Sequence, residues 1–377
     1  MRIMKKIFAM LRSLWQGWIF ALIAASGISP AIAYDNSVIP DFRISKEDRR
    51  FSWISIHPDN ERWLITECTD RIDPPHDKCY LFIYNIKTKA YQRLDLPADY
   101  IYLQAQFSPS GRQIAAVRVP APRNESHEER AKSSMQSEIV LMRDDGSQVR
   151  LTKIPKGSLS APAWSPDETK IAYWSAAIIR PKGSKSFRSD FDLREYDLQT
   201  ETDRLFSGQF HFFVVGRLQY KNADQIVAVA FGHLHSHKSS FEHGKKFNFS
   251  NLYCFDRNVT SLQDPCFTEV PNATYLSLDI EGNSYLRGQN AQHGISLYKL
   301  SAAGGMQHWR EPRIEKIGTT FLSVSPSGRY LGFIYSDGDF SNRGYHTALG
   351  YFDFSAERWI PLSLPSPESA VISSSAQ

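Results

Sequence analysis

The chain has 377 residues, 42% of them apolar and 13% aromatic, which excludes a disordered or fibrous protein and leaves material for a sizeable core. Its formal net charge of +4 arises in the first 33 residues, where Arg2, Lys5, Lys6 and Arg12 stand without an acid. Beyond them 40 basic residues face 40 acidic ones, so neither nucleic acid nor an anionic membrane is expected as a whole-surface partner.

In chain order, residues 1–33 combine a basic start, an apolar run over 14–25 and the small-residue ending Ala31-Ile32-Ala33. These are the parts of a secretory signal peptide, with cleavage expected before Tyr34. Gln16, Gly17, Gly27 and Pro30 leave too short an apolar run for a comfortable span, so no transmembrane segment is expected after signal removal. The mature chain is expected to be periplasmic or secreted, in a bacterium. Residues 34–50, with the segment Val38-Ile39-Pro40-Asp41-Phe42-Arg43-Ile44, are a candidate ring-closing strand for the repeats that begin at residue 51.

Residues 51–365 divide into six stretches, each of four short apolar runs joined by turn residues. The organising phrase is Phe107-Ser108-Pro109-Ser110-Gly111-Arg112. It returns as Trp164-Ser165-Pro166-Asp167 and as Val324-Ser325-Pro326-Ser327-Gly328-Arg329, with His57-Pro58-Asp59-Asn60 as a variant. Proline presets φ and the residue in the glycine position turns left-handed, which suits a tight strand–strand turn. Corresponding turns fall at Pro58, Pro109, Pro166, Asn222, Gly282 and Pro326, too unevenly spaced for a solenoid. Six four-stranded units, each with two faces to bury, pack radially. The expected fold is all-β: a single-domain six-bladed β-propeller of four-stranded antiparallel blades. The Ser- and Pro-rich residues 366–377 are expected to be a mobile tail.

The Ser-Pro phrases, followed by strands such as Ile171-Ala172-Tyr173, resemble the repeat of TolB-like β-propellers. The resemblance covers residues 45–365 and implies the propeller fold and a cell-envelope setting. It names no activity, because the same repeat occurs in scaffolds, peptidase propeller domains and lyases.

Four cysteines fall as two local pairs, Cys68 with Cys79 and Cys254 with Cys266, each straddling a strand–loop–strand. In an exported protein these are read as disulfides, and the CxxC spacing of a zinc site is absent. Long connections at 120–137, 176–189, 233–250 and 337–347 follow the second strand of their units and so share one rim, whereas the first turns on the opposite rim stay short. The long-loop rim is the expected contact surface for an envelope protein, a peptide or a glycan, with the propeller a monomer.

One of those connections carries His233, His235 and His237, two residues apart, and then His243. On an extended backbone the first three share a side and could hold a divalent metal, with His243 as fourth ligand. The alternative is a solvated loop. Asp190, Asp192, Glu195, Asp197, Glu201 and Asp203 read as outward-facing, solvated carboxylates. No Gly-x-Ser-x-Gly elbow, P-loop or dinucleotide fingerprint occurs, so no catalytic residue and no organic cofactor is assigned. Two functions stay open: a non-catalytic binding platform, or a metal-assisted lyase or hydrolase acting on carbohydrate (or a metal-binding protein) that uses the histidine run.

Overall fold

The computed structural model describes residues 49–69, 78–121, 132–179, 188–207, 210–235, 251–257, 275–290, 294–310, 318–336, 347–365 and 371–372. Residues 1–48 and the four long connections apart from their bases lie outside them.

The first sheet holds β1 (Arg49–Ile56), β2 (Arg62–Thr69), β3 (Lys78–Asn85) and β4 (Tyr91–Arg93), and the second β5 (Tyr100–Phe107), β6 (Gln113–Pro120), β7 (Glu138–Arg143) and β8 (Arg150–Leu151). The third has β9 (Ser158–Trp164), β10 (Lys170–Ile179), β11 (Arg188–Asp197) and β12 (Asp203–Leu205). The fourth has β13 (Phe210–Asn222), β14 (Gln225–His235) and β15 (Asn251–Asp256); the strand expected over 266–270 lies outside the described residues. The fifth has β16 (Tyr275–Leu278), β17 (Ser284–Asn290), β18 (Gly294–Leu300) and β19 (Met306–Arg310). The sixth has β20 (Gly318–Val324), β21 (Tyr330–Ser336), β22 (Thr347–Asp353) and β23 (Arg358–Leu362).

Successive strands pair antiparallel within each blade. The first strands β1, β5, β9, β13, β16 and β20 touch in that order, and β20 returns to β1. The chain is therefore a closed six-bladed propeller. Arg49 and Arg50 belong to β1, and two residues of the tail, Val371–Ile372, form β24, which pairs in parallel with the outer edge of β4.

The repeated phrase builds a repeated turn. In five blades the carbonyl of the first turn residue accepts the N–H of the fourth: His57 from Asn60 (2.9 Å), Ser108 from Gly111 (2.8 Å), Ser165 from Glu168 (3.0 Å), Asp279 from Gly282 (3.1 Å) and Ser325 from Gly328 (2.8 Å). Each fourth residue has positive φ, between 58° at Glu168 and 80° at Gly282. The serine hydroxyl then accepts the N–H that opens the second strand, Lys170 at 2.9 Å and Tyr330 at 3.0 Å. Gly111 is required twice over, by φ and because a Cβ there would sit 2.0 Å from His57 Nε2 of the preceding blade.

Alternating apolar residues on both faces of each sheet bury between blades. Blades five and six close over Tyr285, Trp309, Phe333, Phe352 and Trp359, and blades one and two over Leu64, Leu81, Tyr102, Ile114 and Met142. Each such side chain contributes about 1.5–3 kcal/mol by leaving water. Where the ring closes, Trp63 of β2 lies against Gly332 of β21; a Cβ at 332 would stand 2.8 Å from the indole. Cys68 and Cys79 face each other across β2 and β3, with Cα atoms 4.0 Å apart, and are joined in a disulfide. Cys254 is also disulfide-bonded, and Cys266 lies outside the described residues.

Candidate binding site at the mouth of the central channel

Of the histidines considered for a metal, His233 and His235 continue β14, their backbones paired with Phe212 and Phe210, rather than opening a loop. His237 and His243 lie outside the described residues. The long-loop rim lies outside them too. The site that the described residues do build is on the opposite rim, at the short first turns.

There the six first strands surround a cavity of about 460 Å³, lined by Ser55, Gln106, Ala163, Arg217, Leu278 and Ser323, one from each blade. Pro109, Pro166, Ala223 and Ile280 stand exposed on the turns around its mouth, Ile280 at 82% exposure. Four turns have proline where blade five has Ile280, so the repeat makes most of this collar apolar, and blade four adds the exposed Lys221 and Asn222.

Polar groups beneath the collar fall into two sets. One set stitches neighbouring blades: Ser55 Oγ accepts the N–H of Phe107 (3.1 Å), Gln219 Oε1 that of Leu278 (2.7 Å) and Ser277 Oγ that of Val324 (2.9 Å). In the other set, Gln106 Nε2, Ser323 Oγ and Arg217 Nε are buried without a hydrogen-bond partner among the described residues. Asp279, the carboxylate of the lining, is fully engaged within its own blade by the N–H groups of Glu281 and Asn283, by Asn283 Nδ2 and by the Tyr285 hydroxyl.

Arg217 dominates the floor. It is 7% exposed. A register shift in β13 between Val215 and Leu218 places Gly216-Arg217 in a bulge, the usual device for re-aiming a side chain. Gly216 sits close against Val229, and its carbonyl accepts Trp174 Nε1 at 3.0 Å. The side chain leaves blade four and crosses the channel. Its Nη1 donates to the Leu322 carbonyl of blade six (2.9 Å), and its guanidinium carbon lies 5.6 Å from the ring of Trp53 and 5.4 Å from that of Phe321. Burial pushes its pKa down to about 9, with no carboxylate among the described residues to restore it, and it stays charged at neutral pH.

Sequence patterning missed Arg217. The signal was a charge directly after a glycine inside the apolar run 212–218, the mark of a bulge with an inward-facing ion. Glu195, expected to be solvated, is instead 1% exposed: β11 turns it toward blade four. There its carboxylate accepts from Arg204 Nε (2.7 Å), Arg257 Nη1 (3.1 Å) and Nη2 (2.7 Å), and the Tyr220 hydroxyl (2.8 Å).

With this geometry in hand, comparison with solved structures decides the fold type. The crystal structure of TolB from Acinetobacter baumannii superposes with a TM-score of 0.51 at 14% identity, over 87% of this chain. This is the TolB-like propeller fold. The chain spans 66% of that TolB chain. The oligogalacturonate lyase of Vibrio parahaemolyticus gives a TM-score of 0.49 at 12% identity, covering 89% of this chain and 84% of the lyase, a similarity too slight to bear on activity. No known family profile matches the sequence, and neither does any curated protein.

Proposed function

We propose that this chain is an exported, non-catalytic propeller of the bacterial cell envelope that docks a protein or peptide partner over the mouth of its central channel. One observation carries this: an exposed apolar collar, with Ile280 at its most prominent point, rings a cavity whose floor is polar and partly unsatisfied. An apolar rim around convergent polar groups is the usual make-up of a recognition site. The Cys68–Cys79 disulfide and the signal-like first 33 residues support export to an oxidising compartment. Among the described residues no helix is long and apolar enough to cross a membrane.

A photo-crosslinker placed at Ile280, with Leu151 on the outer strand β8 as the control position, tests this in the native host. A discrete partner captured from position 280 and not from 151 is the expected result. Equal capture from both positions, or none from 280, would overturn the docking site.

A further inference from the structure

We propose that the channel mouth is a carboxylate-binding socket, in which Arg217 forms the ion pair and Gln106 and Ser323 supply neutral hydrogen bonds. This rests on the docking function proposed for the same mouth and names the chemistry of the group that enters.

Burying a cation is costly. Taking a guanidinium out of water is unfavourable unless an anion and hydrogen-bond acceptors replace the water. Arg217 receives one carbonyl, from Leu322, and the faces of two aromatic rings. These hold the fork in place without neutralising it. Its Nε–H has no acceptor among the described residues, and the residue lines the same cavity as Gln106 and Ser323, whose Nε2 and Oγ are likewise buried without a partner among them. Residues of blades four, two and six, each with a buried polar atom lacking a partner among the described residues, therefore border one space. The Asp279 carboxylate is held by four donors of its own blade and is not free to answer them.

The donor set selects the ligand. One buried cation with two neutral donors matches a single negative charge, and a planar guanidinium fork matches a planar carboxylate. The apolar collar then suits aliphatic neighbours of that carboxylate. The carboxylate could come from an acidic side chain in a partner's inserted segment or from a free small acid, and the two are separated by the probes.

The test is calorimetric titration of the mature chain with three probes: a blocked pentapeptide carrying one glutamate among leucines, its glutamine counterpart, and succinate. The glutamate peptide is expected to bind saturably and the glutamine peptide about thirtyfold more weakly or worse, as for a buried charge pair that loses one partner. Arg217→Met is expected to erase that difference. Succinate binding that Arg217→Met abolishes, without a glutamate preference among the peptides, also supports the socket and assigns it to a free acid. Absence of saturable binding by both glutamate peptide and succinate, or an unchanged preference in Arg217→Met, overturns the proposal and leaves Arg217 a strut. If Arg217→Met fails to fold by near-ultraviolet circular dichroism, the pair Gln106→Leu with Ser323→Ala takes its place, with weakened carboxylate binding expected and unchanged binding overturning the proposal. The Ile280 crosslink fails or succeeds independently, so a lost socket and a lost docking site are told apart.

Discussion

Glu195 and Arg217 are buried charges on adjacent blades, and the fold treats them in opposite ways. Around Glu195, two arginines and a tyrosine supply donors to both carboxylate oxygens, so the charge is enclosed and satisfied from within the chain. Around Arg217 there is one carbonyl, two ring faces and an open cavity. A saturated buried ion joins elements together; an unsaturated one beside a cavity has capacity left for something else. Blade four supplies both kinds of residue, Tyr220 and Arg257 to the first cluster and Arg217 to the second.

The two ions should part most clearly when Glu195 is removed. Replacing it with alanine leaves two arginines facing each other at the joint of blades three and four. This should cost about 3–5 kcal/mol, read as a shifted urea midpoint. An unchanged midpoint would mean that the cluster joins nothing. Arg217→Met should behave differently, with stability within about 1 kcal/mol of the parent or above it, because the burial cost of the cation disappears with its cation–π contacts. A loss as large as that at Glu195 would make Arg217 a structural ion of the same kind.

A third, smaller effect belongs to the turn of blade one, where the charges are again saturated. Burial, and then the charge of Arg62, lowers the pKa of His57. The unfolded chain therefore takes up this proton first, and stability declines as pH falls below about 6.5. Burial alone would raise the Asp59 carboxyl, but hydrogen bonds from the Arg62 backbone and side chain and the Glu61 N–H bring it down to about 2. Its contribution is present above pH 3.8 and lost as pH falls from there through about 2. Asp59→Asn should remove that lower step and keep the upper one in urea midpoints taken from pH 7 to 2. Parallel curves for parent and variant below pH 4 would show that the saturated turn does not report on acid.

The propeller was legible because its signal is local. Ser-Pro-x-Gly places a cap, a preset φ and a left-handed residue within four positions, and the turn that results bonds mostly within itself. The disulfide pair was legible for the same reason, since Cys68 and Cys79 lie on adjoining strands. The channel mouth was not, because its meaning is assembled from distant parts. Arg217 contacts Leu322, 105 positions away, and the ring of Trp53 on the opposite side of the ring of blades. Glu195 was misread because Tyr220 and Arg257, which enclose it, come from the next blade. Alternation along β11 says which way a residue faces, not whether another sheet covers that face.

The Cys68–Cys79 bridge has a consequence for proteolysis. Both half-cystines sit in paired strands, and the backbone between them includes residues 70–77. A protease cut anywhere in that interval would sever the chain without dividing the molecule. The two pieces would travel as one on a non-reducing gel and separate only when reductant is added, the shorter carrying β1 and β2 away from the rest of the ring.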